Sequence, residues 1–171
     1  GPVGPPWAPK CEVRLHPSGG DYSQSTGQGM TSPGHSTVEI RGGKVTARRI
    51  DLRGDVPDVV DTILPHEVTY LIVQELFADQ PLPRWAEVAM TVMSEPPSQV
   101  SRYLRAVPKL VQEKRLLPVS KLMNSTEFPD EATATSFFVG SVSLVDYLVR
   151  LKGAKAFAVF LREAPRRGYE K

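Results

Sequence analysis

The chain is short of the residues that build disulfides and metal centres: one cysteine, Cys11, and three histidines in 171 residues. A single thiol excludes an internal disulfide and leaves the redox compartment open. A formal net charge of +2 is too small to argue for nucleic acid or an anionic membrane as partner. No uninterrupted apolar run approaches the ~20 residues of a membrane span. Proline, by contrast, is plentiful at 16 residues. Several prolines fall in residues 1–10, where Gly1-Pro2 reads as a protease scar and the rest as a Pro-rich, extended lead-in. A chain opening this way reads as a piece of something longer, so a missing leader says nothing of localisation.

The remaining length, 11–171, suits one domain with a substantial core. Cys11–His16 alternate as a half-buried strand stopped by Pro17. Residues 17–36, rich in Gly, Ser, Thr and Gln, read as a long mobile loop. Two β-rich runs, 37–40 and 44–50, flank Arg41-Gly42-Gly43, a hairpin signal. Three strands are expected, arranged as a small antiparallel sheet. After Asp51 the apolar period becomes helical. Pro57–Phe77 carries a helix pattern with Asp55 as cap; Pro65 predicts a kink or a second helix starting there. Further helices are predicted at 84–94, 98–115, 119–123, 131–151 and 154–163, with Gly153 in a C-cap position. The fold class is α+β, strand-rich over 11–54 and helical over 55–171.

The chemistry is concentrated at Leu64-Pro65-His66-Glu67-Val68-Thr69-Tyr70. His66 and Glu67 open an H-E-x-x-H pattern, whose second histidine is replaced by Tyr70. In the intact motif, side chains at i and i+4 share a helix face and clamp zinc between two imidazoles, while the glutamate activates the bound water. A phenol must lose a proton of pKa near ~10 before it ligates well. On its own, a His-Glu pair on an amphipathic helix is more often a packed or solvated histidine than a ligand.

The surroundings add to it. Pro81-Leu82-Pro83-Arg84-Trp85-Ala86-Glu87-Val88-Ala89-Met90 follows, then Phe137-Phe138-Val139-Gly140-Ser141-Val142-Ser143-Leu144-Val145-Asp146-Tyr147-Leu148. In order and spacing this constellation resembles the gluzincin-type "peptidase MA-like" metallopeptidase domains of bacterial exported proteins, over roughly residues 11–171. The resemblance implies a zincin-like fold, with His66 at the first zinc-ligand position, Glu67 as a vestigial general base, and Tyr70 and Val88 where the other two ligands stand. It places Trp85, Glu87 and Phe138 as cleft candidates, Phe138 in the place of a tyrosine. It also implies an exported or envelope-associated bacterial setting, and family members usually continue past Lys171.

With two of three ligands lost, no metal or other cofactor is expected and hydrolysis by the zinc route is implausible. The expected role is a catalytically inactive pseudo-metallopeptidase that serves as scaffold or binds an extended peptide or protein segment. The alternative is an active zinc peptidase with an atypical ligand set: His66, a Tyr70 tyrosinate and Glu87, or His16 or His35 folding over the cleft. Gln74 and Glu75 are poor candidates, one a neutral amide and the other on a different helix face. Trp85 reads chiefly as a packing anchor. Arg48-Arg49, Arg166-Arg167 and the basic side of the third helix (Arg102, Arg105, Lys109) read as solvated charge.

Overall fold

The computed structural model describes residues 8–78, 80 and 82–167, with 165–167 by backbone alone. The lead-in over 1–7 and the C-terminal residues 168–171 lie outside the described residues. The chain divides into two compact units, Gly1–Asp79 and Gln80–Lys171. The helix bearing His66 therefore goes with the strands, while the last strand ends at Arg53, where the strand-rich part of the sequence gives way to the helical part.

The first unit is built on a three-stranded sheet of order β1-β3-β2, with β1 at Cys11–His16, β2 at Gly34–Arg41 and β3 at Lys44–Arg53. Gly42 and Gly43 turn the β2–β3 hairpin with φ of 56° and 73°, left-handed values that suit the twist of the paired strands. The sheet is mixed rather than antiparallel: β2 runs antiparallel to β3, but β1 runs parallel to it. Period-2 alternation fixes which side chains share a face and leaves strand direction undetermined. Nor is 17–36 all loop. Helix α1, Gly19–Thr26, starts where Ser18 caps the Asp21 N–H at 3.2 Å and ends at left-handed Gly27. Tyr22 is its one large buried side chain, too little to produce a periodic signal.

Helix α2, Leu64–Leu76, is preceded by a π-helical turn over Val59–Ile63. Asp58, at φ 54°, begins that turn; the expected cap Asp55 is instead paired with Arg53 at 2.9 Å. Pro65 occupies the first turn of α2, where its missing N–H costs no helical bond. Of the two expectations at Pro65, a kink or a new helix, the structure shows the second: an α-helix starts there, after the π-helical turn. Helix α2 packs its Leu71 against Ile50, Leu52 and Val59, and each such fully buried aliphatic contributes about 1.5–3 kcal/mol.

The second unit is helical: α3 (Arg84–Val92), α4 (Pro97–Gln112), α5 (Val119–Met123), α6 (Glu131–Lys152) and α7 (Ala154–Arg167). Helices α3, α4, α5 and α7 all contact α6. By length and composition α6 is apolar enough to cross a membrane. Here its Phe137, Val139, Val142 and Val145 are buried. Asp130 caps it through the Thr133 N–H at 2.9 Å. Gly153 ends it at φ 84° and ψ 158°, its N–H bonded to Val149. Arg102, Arg105 and Lys109 on α4 are exposed, as expected of solvated charge.

Candidate functional site

His66, Glu67 and Tyr70 lie in the first two turns of α2. His66 and Tyr70 are half-buried, while Glu67 is 9% exposed. Glu67 meets β2: Ser36 Oγ donates to its Oε2 at 2.6 Å. Ser36 pairs with Ile50 across the hairpin, so it shares the sheet face on which α2 packs. A hydroxyl bonded to a carboxylate is a strong, charge-assisted contact. It occupies a lone pair of the oxygen that would otherwise be offered to water.

The two remaining histidines lie on the opposite sheet face. Alternation along β3 sends Ile50 and Leu52 toward α2 and Arg49, Asp51 and Arg53 away from it. His35 pairs with Asp51, and His16 with Arg53, on that far side. Tyr22 stands between the two imidazoles, edge-on to His16 at 5.7 Å and to His35 at 6.0 Å. His16 and His35 thus do not complete a ligand set with His66. Among the described residues, no three His, Cys, Asp or Glu side chains are grouped to hold a metal ion. The α2 face provides one imidazole, one phenol and a carboxylate already bonded to Ser36, a donor set that does not fit catalytic zinc.

The far face holds a polar cluster that the sequence did not single out. Asp51, 1% exposed, takes His16 Nε2 at 2.8 Å and Arg49 Nε at 2.6 Å. Burial alone would raise the Asp51 carboxyl. Hydrogen bonds from His16 and Arg49, with the Arg49 charge, outweigh that and hold it below its ordinary value. A depressed folded-state pKa contributes stability above the unfolded value, near ~3.9, that is lost as pH falls through the folded one. Acid unfolding followed by circular dichroism should therefore steepen below pH ~4. Asp51→Asn should remove that component and lower stability at neutral pH.

Two other sequence expectations need correction. Arg48 is not solvated: its side chain is 5% exposed and forks onto Glu75 of α2, with Nη2 to Oε2 at 2.8 Å. Its Nη1 also donates to the Pro9 carbonyl. Arg49 is only half-exposed, drawn in by Asp51.

In the helical unit, Trp85 is fully buried with its ring edge-on to Phe157 at 6.3 Å. Val88, three residues on, is also buried, and Glu87 is 3% exposed. The Glu87 carboxylate accepts from Arg84 at 2.7 Å, and the Arg84 guanidinium lies 4.7 Å from the centre of the Phe128 ring. Phe138 is half-buried, edge-on to Phe137 at 6.2 Å. Trp85 is thus a packing anchor, and Glu87 is a buried carboxylate with its own cation.

No family model, curated protein or solved structure matches the chain. What the two halves can do rests on their own residues. Ser36 falls at the end of the segment that reads as loop, and Asp51 just past the second β-rich run, so neither carries a sequence signal, although both lie in strands. Their partners lie 31 and 35 positions away.

Proposed function

We propose that this chain is a zincin-like pseudo-peptidase that has lost metal-dependent hydrolysis and binds an extended peptide or protein segment along β2. The observation that carries this reading is the Ser36–Glu67 hydrogen bond. It ties the one surviving catalytic-type carboxylate to an edge strand instead of leaving it for metal-bound water. Among the described residues β2 has no strand on its outer side. The Arg53 N–H to Pro33 carbonyl bond sets the phase of the ladder, so Gly34, Ser36 and Val38 turn their amides outward. An added peptide strand would take its main-chain bonds there.

The test is made on protein purified without a histidine tag. Zinc is measured by inductively coupled plasma mass spectrometry before and after dialysis against micromolar Zn²⁺, alongside casein hydrolysis. Expected are zinc at buffer background and no hydrolysis by wild type or Glu67→Gln. Stoichiometric zinc, with hydrolysis abolished by Glu67→Gln, would establish the active peptidase instead. For the binding half, fluorescein-labelled casein should raise its anisotropy on titration. Val38→Pro, which removes an outward donor but no ladder bond, should weaken that by about fivefold or more. Casein that fails to bind, or binds Val38→Pro equally well, removes the groove and leaves a scaffold.

A further inference from the structure

We infer that β1 is a self-pairing edge through which two copies of this chain join their sheets about a two-fold axis. The inference is independent of the peptidase question and concerns the opposite edge from β2. Among the described residues β1 has only β3 beside it. Its side chains divide into two unlike faces. Val13 and Leu15, 52% and 61% exposed, lie on the apolar face with Cys11, while Glu12 and Arg14 lie on the other. An exposed strand of this kind is a template for another strand.

The backbone is phased for it. His16 gives its carbonyl inward to the Gly54 N–H at 2.7 Å. In a parallel ladder, residues bonded to the neighbour alternate with residues turned the other way. By that alternation Glu12 and Arg14 bond toward β3, and Cys11, Val13 and Leu15 hold their N–H and C=O groups toward the open edge.

Charge then selects a single register. With the two-fold axis at Val13, Glu12 faces the partner's Arg14 and Arg14 faces the partner's Glu12. On the other face Val13 meets the partner's Val13, and Cys11 meets the partner's Leu15. A shift of two residues one way sets Glu12 against Glu12, and the other way Arg14 against Arg14, both repulsive. A shift of one turns apolar side chains to the charged face. The favoured register forms about six main-chain hydrogen bonds and exchanges the two Glu12–Arg14 pairs now made within the strands, one per copy at 2.8 Å, for two between them. An edge this short buries less than a standard interface, so the dimer is weak, with Kd on the order of tens of micromolar.

Sedimentation velocity from about 10 to about 500 µM tests it, a range set by that affinity. Wild type should pass from monomer to dimer. Glu12→Arg and Arg14→Glu, both at exposed positions, should each weaken dimerisation by about tenfold or more, because each sets like charges opposite twice. Mixing the two variants in equal amounts should restore a dimer, since one strand is then all positive and the other all negative. A Cys11→Ser/Val13→Cys protein should form an intermolecular disulfide under mild oxidation, the paired Cα atoms lying about 5.5 Å apart. The pairing is overturned by a wild type that stays monomeric, by single variants that dimerise as wild type does, or by a mixture that does not recover. It is equally overturned if labelled casein, rather than a second copy, is what the β1 variants lose.

Discussion

Arg48→Ala should destabilise the Gly1–Asp79 unit by about 3–5 kcal/mol, the usual cost of removing one partner from a buried ion pair. The Arg48 side chain is 5% exposed and that of Glu75 is 19% exposed. Removing the arginine leaves the Glu75 carboxylate in a poorly hydrated place and leaves the Pro9 carbonyl without that donor. A unit of this size has only about 4–12 kcal/mol in total at typical stability per residue, so most of it is at stake. The decisive comparison is with Arg48→Met/Glu75→Leu. Replacing both charges by apolar groups removes the desolvation penalty along with the attraction, and should recover much of the loss. Urea denaturation followed by circular dichroism measures both. A loss under about 1 kcal/mol for Arg48→Ala would place this pair with surface salt bridges and refute its structural role.

Trp85→Ala should cost the Gln80–Lys171 unit a similar amount, about 3–5 kcal/mol. The ring is fully buried in α3 and meets Phe157 edge-on. Truncation removes its transfer energy and opens a cavity that the helices around α6 can only partly close. Trp85→Phe keeps an aromatic body and should cost distinctly less, about 1–2 kcal/mol. The same urea series separates the two. A Trp85→Ala protein as stable as wild type would mean that the ring is not part of this core.

How far the chain could be read from its sequence followed how periodic each segment is. The span of α5 agrees with the sequence reading to the residue, and α6 to within one, where Gly153 marks its end. The hairpin was legible from its two glycines. Helix α1 was not, because a Gly-Ser-Thr-Gln segment with one buried aromatic has no period to detect; Ser18 and Gly27 were the available signals. The parallel placement of β1 was not legible either, since alternation is the same in both strand directions. Of the site, the H-E-x-x-Y helix stood out from the sequence alone. The groups that decide its chemistry did not: Ser36 against Glu67, and the sheet lying between His66 and the other two histidines, both depend on distant residues meeting.

Gly153 carries a consequence of a different kind. An added Cβ there would find nothing within 4 Å, so there is ample room for a side chain. Yet its φ of 84° and ψ of 158° belong to a region that L residues essentially never enter. The demand at the α6–α7 junction is therefore stereochemical, not spatial. A D-amino acid would sit there at ease, whereas every genetically encoded replacement has the wrong hand, so the constraint falls on chirality at a position that touches almost nothing.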